Sequence, residues 1–352
     1  MNKKINNCLE KIEKKGFQAL LISNPTNISY LSNFRKADGY LLISRNAIIY
    51  FTNFIYAQEA RRIKNWRIKL SNTNIFDTVV KEIFKLKLKS ICFEAKHLSY
   101  LEYKKLKEIH LKRRIKFSPV RDIVEGLRTI KDKKEISFLK NAIDVTLEAF
   151  TFIDEIANDN MSEKDLYIEI ERFLKIKSDN ELAFLPIVAF GKNTAFPHHL
   201  PSQVKLSKSK LFLIDLGARH CGYCADLTRV FFLGKMPTYL KKVYDVVKKA
   251  KDLAIKKIRE GVRVKDVDKA ARAFIEKKGF GKYFGHGLGH GIGMSVHEEP
   301  YINYKNDNIL KEGMVVTIEP AIYLPGRFGI RIEDMVLVKS KRGEILSGYI
   351  HQ

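Results

Sequence analysis

Two carboxylates lie in apolar stretches of the sequence, where a lone buried charge is costly. Asp215 lies within the apolar run 210–217, and Asp226 follows further along the chain. If residues 211–230 form a hairpin that turns at His220-Cys221, the two carboxylates face each other with Cβ atoms about 5 Å apart. Like charges at that separation repel unless a cation or a proton lies between them. This hairpin therefore predicts a cation-binding pair.

A second segment repeats the arrangement. Glu319 and Glu333 each end an apolar run, and pairing about a turn at Gly326 places them opposite each other. Between the two hairpins lies His290, in the glycine-rich segment 285–293. Four carboxylates and one imidazole suit a pair of divalent cations, and the oxygen-rich set favours Mn, Fe or Co over a structural zinc. Such a pair can bind and acidify a bridging water, which would give a hydrolytic enzyme.

The order of these five residues resembles the pita-bread metallopeptidases, the family of methionine aminopeptidase, aminopeptidase P and prolidase. The resemblance covers about residues 122–350, and because every ligand position is intact it argues against creatinase, the non-metal relative. The motifs that carry it are Asp-Leu-Gly at 215–217, Gly-Tyr-Cys-Ala-Asp-Leu-Thr-Arg at 222–229, Gly-His-Gly-Leu-Gly-His at 285–290, Val-His-Glu at 296–298, Thr-Ile-Glu-Pro at 317–320 and Gly-Ile-Arg-Ile-Glu-Asp at 329–334.

The resemblance implies two divalent metal ions. Asp215 holds one ion, His290 and Glu319 hold the other, and Asp226 and Glu333 bridge both. Manganese is the expected metal, with cobalt, iron and zinc as alternatives. A hydroxide that bridges the two ions is then the implied nucleophile.

The resemblance also implies roles around the substrate for Glu319, His198, His286, His297 and Arg331. Glu319 is the implied proton shuttle, and His297 supports the developing oxyanion. Arg331 lies two residues before Glu333, so strand alternation places both on one face and lets the arginine brace the carboxylates. His199, by contrast, is expected to face solvent.

The first third of the chain resembles the creatinase-type domain of the proline-specific branch, through segments 28–34 and 50–52. The expected activity is an exopeptidase of the aminopeptidase P type, whose substrate is a peptide with proline in second position. Prolidase, an Xaa-Pro dipeptidase, is the alternative. Prolidases tend to place an arginine four residues after the His297 position to hold a dipeptide's carboxylate, and here that residue is Tyr301. The usual acidic-x-Arg element is also replaced, by Asn53-Phe-Ile55.

The fold class that follows is α/β, with a creatinase-like α/β domain over residues 1–121 and a pita-bread catalytic domain over residues 122–352. The second domain is expected to have a curved, mainly antiparallel sheet flanked by helices. Asp132 is predicted to cap a long helix, and Ser162 to begin the next one. Helical and strand patterns alternate in the first third, with helices at 5–12, 79–88 and 100–111, strands at 17–23, 91–93 and 115–117, and a hairpin at 39–43 and 47–52.

Composition sets limits on the partners. The 352 residues carry a formal net charge of +24, but the lysines are scattered, which favours a solvated basic surface over a specific nucleic-acid interface. No apolar run is long enough for a membrane span, and four cysteines are too few for a disulfide framework. We therefore expect a cytoplasmic protein without a membrane partner, and a homodimer or higher homo-oligomer by family resemblance. A non-catalytic binding protein that uses the basic surface is the remote alternative.

Overall fold

A computed structural model describes residues 3–35, 37–179, 181–208 and 210–348. By the density of its internal contacts the chain divides into two units, Met1–Arg128 and Thr129–Gln352. The predicted domain boundary, between residues 121 and 122, lies within the first unit. No helix in the described ranges has the length and apolarity needed to cross a bilayer.

The first unit is an α/β domain built on one mixed sheet. Its helices are α1 (Lys3–Glu13), α2 (Pro25–Ser32), α3 (Ala57–Ala60), α4 (Ile75–Lys85), α5 (Tyr100–Arg113) and α6 (Glu125–Arg128). Its strands are β1 (Ala19–Ile22), β2 (Tyr40–Ser44), β3 (Ile48–Asn53), β4 (Arg67–Ser71), β5 (Ser90–Glu94) and β6 (Lys116–Val120), in the sheet order β4-β3-β2-β1-β5-β6.

The sheet of the first unit combines the predicted hairpin with parallel additions. Strands β2 and β3 pair antiparallel, as predicted, whereas β4, β5 and β6 join in parallel. Helix α2 begins at the Asn24-Pro25 step because Asn24 accepts a hydrogen bond from the Thr26 amide and Pro25 occupies the first helical position. Strand β4 was not predicted, since only one of its five side chains is buried and it lies at the sheet edge.

The second unit combines four longer helices with antiparallel strands. The helices are α7 (Lys133–Ile156), α8 (Glu163–Lys177), α9 (Thr238–Ile255) and α10 (Val264–Lys277). The strands are β7 (Ile187–Phe190), β8 (Leu211–Leu216), β9 (Arg219–His220), β10 (Tyr223–Cys224), β11 (Leu227–Phe232), β12 (Gly289–Gly291), β13 (Glu298–Ile302), β14 (Val315–Ile318), β15 (Ala321–Leu324), β16 (Phe328–Arg331), β17 (Asp334–Val338) and β18 (Gly343–Ile345).

These strands form two main sheets, with the orders β11-β8-β7 and β13-β12-β14-β17-β18, and two short ribbons, β9–β10 and β15–β16. Neighbouring strands in the described part of this unit pair antiparallel. One apolar cluster packs α9 and α10 against β14, β15 and β16, and a second packs α7 and α8 against β7, β8 and β11. The helices thus cover the sheets and leave the strand breaks free to carry polar groups.

The first carboxylate hairpin has a register different from the predicted one. Thr228, rather than Asp226, is the partner of Asp215. The turn lies at Cys221-Gly222, both with positive φ, and not at His220-Cys221. The predicted partner of Asp215 is thus wrong by two residues. Because side chains alternate along a strand, a shift of two residues leaves the predicted sheet face unchanged. Asp226 itself lies in the break between β10 and β11.

The second carboxylate hairpin has the predicted register. Ala321 pairs with Arg331, and Ile318 pairs with Asp334, so the pairing about Gly326 is confirmed on both sides of the two glutamates. Each strand is interrupted there: Glu319 lies between β14 and β15, and Glu333 lies between β16 and β17. The interruptions let both carboxylates turn away from a regular ladder towards a shared space.

The caps of α7 and α8 match the sequence prediction. Asp132 accepts a hydrogen bond from the Glu135 amide while the Glu135 carboxylate accepts one from the Asp132 amide, and Ser162 forms the equivalent box with Asp165. Glu135 also accepts a hydrogen bond from the Tyr223 hydroxyl at 2.7 Å, which joins the start of α7 to β10.

We predict that Asp132→Ala lowers the free energy of unfolding by about 1 kcal/mol, because the amide at the third helical position loses its acceptor. Asp132→Ser retains an acceptor and serves as the matched control. Urea unfolding followed by far-UV circular dichroism measures the difference. Equal midpoints for the alanine variant and the original protein would contradict the prediction.

Candidate metal centre

Five side chains converge in the second unit, two of them from strands and three from strand breaks. Potential ligand atoms lie within 4.8 Å of one another in two groups that share Glu333, namely Asp215, Asp226 and Glu333, and His290, Glu319 and Glu333. A third group joins Asp226 and His290 to His297. The structure therefore brings together all five residues that the sequence proposed as ligands. Two adjoining positions with a common carboxylate are the arrangement that a pair of cations requires.

The carboxylates are buried and close enough to oppose one another's ionisation. Burial raises the pKa of Asp226 and of Glu333 well above the usual range, and the neighbouring carboxylates raise both further. Burial likewise raises the pKa of Glu319 to about 8, although Arg331 acts in the opposite direction. A divalent cation would relieve this repulsion more completely than a single proton.

Two buried oxygens test whether this donor set fits a metal. Asp215 Oδ1 and Glu333 Oε1 accept no hydrogen bond from any residue in the described ranges. Buried polar atoms are rarely left without a partner in folded proteins. Both oxygens belong to the group that also contains Asp226, so the geometry and the donor chemistry fit a hard divalent cation at that position.

The ring of His290 is held in the tautomer that a metal ligand needs. Its Nδ1 lies 3.1 Å from the Gly291 carbonyl oxygen, which can only accept, so Nδ1 carries the proton. Its Nε2 lies 3.4 Å from Glu319 Oε1 and 3.6 Å from Asp226 Oδ2. Burial lowers the pKa of His290 to about 4, with the nearby His297 adding to the effect, so the Nε2 lone pair is available at neutral pH.

Arg331 braces the carboxylates, as its spacing from Glu333 suggested. Its guanidinium donates to Asp215 Oδ2 at 2.6 Å and to Thr228 Oγ1 at 3.0 Å. The Thr228 hydroxyl in turn donates to Glu333 Oε2 at 2.9 Å. Arg331 also donates to the Tyr323 hydroxyl. One arginine thus orients ligands from both hairpins, through the threonine that the corrected register places opposite Asp215.

A cavity of about 990 Å³ opens above these ligands. His198, His286 and His297 all line it, as do Tyr301 and Tyr323. His286 donates from Nδ1 to the Gly287 carbonyl oxygen at 2.7 Å, which leaves its buried Nε2 without a protein partner in the described part of the chain. Burial lowers the pKa of His286 to about 4, so this nitrogen is an acceptor at neutral pH.

Sequence reasoning missed three supporting residues and misplaced one. Thr228, Tyr323 and Thr317 carry no local signal, because a hydroxyl in a strand usually has a packing role. Thr317 donates to Glu319 Oε1 at 3.4 Å and accepts from the His290 amide at 3.1 Å. His199 was predicted to face solvent, which is wrong: its side chain is 14% exposed and contacts Glu163 at 2.8 Å.

The glycines around His290 are required by close backbone contacts. A Cβ on Gly289 would lie 2.0 Å from the Thr317 carbonyl oxygen, and one on Gly291 would lie 2.3 Å from the Glu299 carbonyl oxygen. Strand β12 runs between β13 and β14 at this point. The glycines therefore allow His290 to lie deep between two neighbouring strands.

Comparison with known families agrees with this geometry. Residues 137–340 match Metallopeptidase family M24, and residues 4–130 match the Creatinase/Prolidase N-terminal domain. The chain belongs to metallopeptidase family M24. The family prediction and the predicted fold class, a creatinase-type α/β domain followed by a pita-bread domain, are thereby confirmed. Membership also implies divalent metals, which the ligand clusters described above could hold.

Individual relatives cover nearly the whole chain. An Xaa-Pro dipeptidase from Pyrococcus horikoshii is 32% identical over 340 residues, which span 96% of this chain and 95% of the relative. The structure of an Xaa-Pro dipeptidase from Bacillus anthracis superposes with a TM-score of 0.93 at 32% identity, covering 99% and 98% of the two chains. The X-Pro aminopeptidase of Thermotoga maritima gives a TM-score of 0.88 at 34% identity, covering 97% and 99%.

The raised pKa of Glu319 predicts how pH and metal act together on stability. The folded-state pKa of about 8 exceeds the ordinary value of 4.5, so the contribution of Glu319 to the stability of the metal-free protein is fully present below the ordinary value and is lost as pH rises through about 8. A bound divalent cation replaces the proton. We therefore expect the gain in melting temperature on adding Mn²⁺ to grow with pH across this range. Thermal unfolding with and without Mn²⁺ measures it, and a gain independent of pH would refute the prediction.

Proposed function

We propose that this protein is a metal-dependent Xaa-Pro dipeptidase that hydrolyses the bond preceding proline. The observation that carries the proposal is the convergence of the five ligand-type side chains below a cavity that four further histidines also line. The choice of an Xaa-Pro bond rests on the Xaa-Pro dipeptidases that resemble the chain over nearly its full length. These relatives favour the dipeptidase alternative over the aminopeptidase P activity that the sequence suggested first.

The proposed cofactor is a pair of divalent cations, with manganese expected and cobalt, iron and zinc as alternatives. Asp215 would hold one ion, His290 and Glu319 the other, and Asp226 and Glu333 would bridge them. When bound, the ions supply Lewis acidity for the scissile carbonyl and lower the pKa of water. Within the described ranges, Asp215 Oδ1 and Glu333 Oε1 accept no hydrogen bond, which supports this assignment, as does the Nε2 lone pair of the His290 ring.

The remaining residues are proposed to handle protons and orient the substrate. Glu319 carries a proton from water to the leaving nitrogen, since its carboxylate lies at the ligand cluster and faces the cavity. His297 is half-exposed and burial lowers its pKa, so it acts as a neutral donor to the developing oxyanion. His286 presents an acceptor nitrogen to the substrate, and His198 also lines the cavity.

The first functional prediction concerns Glu319. Glu319→Gln should reduce kcat on an Xaa-Pro dipeptide by about 10²-fold or more, because the amide cannot carry a proton, while the melting temperature of the metal-free protein does not fall. Steady-state hydrolysis in Mn²⁺ measures the loss. Glu312→Gln, at an exposed position, is the control and should retain full activity. A Glu319→Gln enzyme as active as the original would exclude this residue as the proton carrier.

Aminopeptidase P activity is the second candidate, and one observation favours it. Among the described residues that line the cavity, Arg331 is the only arginine or lysine, and it is engaged by Asp215, Thr228 and Tyr323. Tyr301 occupies the position at which prolidases tend to have an arginine. With tyrosine at this position, the carboxylate of a bound dipeptide would have no permanent cation to pair with. A longer peptide has no carboxylate on its proline and needs no such cation.

The second functional prediction separates these two activities. An Xaa-Pro dipeptidase should hydrolyse Xaa-Pro and leave Xaa-Pro-Xaa tripeptides intact, whereas aminopeptidase P activity should cleave the tripeptide. Tyr301→Arg supplies a cation and should increase kcat/KM for the dipeptide relative to the tripeptide by about tenfold. Tyr301→Phe is the control without a charge. If a chelator and added Mn²⁺ made no difference and neither substrate were cleaved, a non-catalytic binding protein would be the better description.

A further inference from the structure

His198 lies on a loop without regular secondary structure. The loop comprises residues 196–202 and is called the His198 loop below. The cavity is lined by five of its residues, Pro197, His198, His199, Leu200 and Pro201. Leu200 is 81% exposed and His198 is exposed, so packing of their side chains does not hold the loop in place. Its position must depend on other contacts.

Glu163 supplies those contacts. It is the first residue of α8, and it is fully buried. Its Oε2 accepts hydrogen bonds from His199 Nε2 at 2.8 Å and from the Ser202 amide at 2.9 Å, and it also accepts from the Ser202 hydroxyl. Its Oε1 accepts from the Phe190 amide at 2.7 Å and from Asn193 Nδ2 at 2.9 Å. Both ends of the segment from β7 to Ser202 are therefore tied to one carboxylate.

The charge on Glu163 is stable in this environment. Burial on its own would raise the pKa of the carboxyl, but the donors from Ser202, His199, Asn193 and Phe190 together outweigh it, and the pKa is lowered. The amino-terminal turn of α8 also favours a negative charge. An ionised carboxylate accepts stronger hydrogen bonds than a neutral group, and it cannot donate, so His199 Nε2 must carry the proton.

The loop also touches the machinery of the metal-ligand cluster. The Pro197 carbonyl oxygen accepts a hydrogen bond from Arg331 at 3.3 Å, and Arg331 is the residue that holds Asp215. One side of His198 is thus fixed by Arg331, and the other side is fixed by Glu163 through His199 and Ser202. Glu163 contacts His199 and Ser202 of the loop, and its hydrogen bonds include none to the five ligand-type residues in the described ranges.

We propose that Glu163 is a positioning residue that, through His199 and Ser202, fixes the His198 loop so that His198 faces the substrate beside the metal-ligand cluster. This proposal rests on the proposed peptidase function, because His198 is taken to contact the substrate. Glu163 acts through the loop and not on the reacting atoms. Misplacement of a substrate-contacting group by about 1 Å can cost up to about a hundredfold in rate.

Variants of His199 test the link directly. His199→Phe keeps the ring but removes the donor, and it should lower kcat/KM for the cleaved Xaa-Pro substrate by about tenfold to a hundredfold at saturating Mn²⁺. His199→Gln keeps an N–H donor at a similar reach and should restore most of the activity. Equal activities for these two variants would overturn the link through His199.

A matched control separates positioning from general destabilisation. Glu94 is a buried glutamate of the first unit that accepts hydrogen bonds from the Ser23 and Asn24 amides and from Asn27. Glu94→Gln should leave kcat/KM unchanged. Glu163→Gln removes an acceptor in a comparable setting and should reduce kcat/KM with metal content unchanged, and equal losses in the two variants would overturn the proposal.

A double-variant cycle with His198→Ala tests whether the effect passes through His198. If Glu163 acts by positioning His198, Glu163→Gln should add little to the loss already caused by His198→Ala. Additive losses would show that Glu163 acts elsewhere and would overturn the proposal, since a merely structural role predicts additivity.

Hydrogen exchange gives a readout that does not depend on activity. Peptides that cover residues 196–204 should exchange faster in Glu163→Gln and in His199→Phe than in the original protein or in Glu94→Gln. Unchanged exchange would overturn the anchoring role even if the enzyme is active. If the original protein proves inactive on every Xaa-Pro substrate while exchange responds as expected, the proposed function fails and the anchoring of the loop stands.

Discussion

Mutual repulsion among four closely spaced carboxylates is the constraint to which the rest of the second unit responds. Asp215, Asp226 and Glu333 are buried and Glu319 is partly buried, and the two groups of close ligand-type atoms to which they belong share Glu333. Coulomb repulsion at such separations grows as the effective dielectric constant falls. The pKa values of three of these carboxylates are raised accordingly. Arg331 offsets part of the charge, and the remainder explains why the cluster favours divalent cations.

A second group of buried charges holds the backbone beside Glu333. Arg229 donates to the Glu333 carbonyl oxygen, and it pairs with Asp334 at 3.0 Å. Lys251, from α9, also contacts Asp334, and Ser347 donates to it at 2.6 Å. Because Asp334 compensates much of this positive charge, Arg229 and Lys251 can fix the backbone beside Glu333 without neutralising the ligand carboxylates. Glu333 is therefore held by two buried charged groups. Arg331 acts on its side chain through Thr228, whereas Arg229 holds its backbone carbonyl oxygen.

The donors of the site could be predicted from the sequence because their type and spacing are unusual. Carboxylates within apolar strands and a histidine between glycines have few purely structural explanations. The exact register of the first hairpin could not be predicted, since Cys221 adopts a left-handed conformation for which cysteine has no special preference. The turn lies one position later in the chain than predicted, so Asp215 pairs with Thr228 and not with Asp226.

Long-range polar contacts were beyond sequence reasoning for a different reason. The Ser162 capping box located the start of α8, but nothing local indicates that Glu163 would accept hydrogen bonds from His199 and Ser202. A histidine in a loop is usually solvated, so the wrong prediction for His199 followed from its neighbours alone. Contacts of this kind depend on how separate segments pack, which the spacing of residues along the chain does not specify.

The close backbone contacts around β12 limit which substitutions this protein can accept during evolution. Backbone oxygens occupy the places where side chains of Gly289 and Gly291 would stand, so neither position can accept even a methyl group without moving a neighbouring strand. Those neighbours, β13 and β14, adjoin His297 and Glu319. Substitutions should therefore be tolerated far more readily in the cavity walls than in β12. New substrate preferences should arise at the outer part of the cavity, while β12 at its base stays nearly invariant.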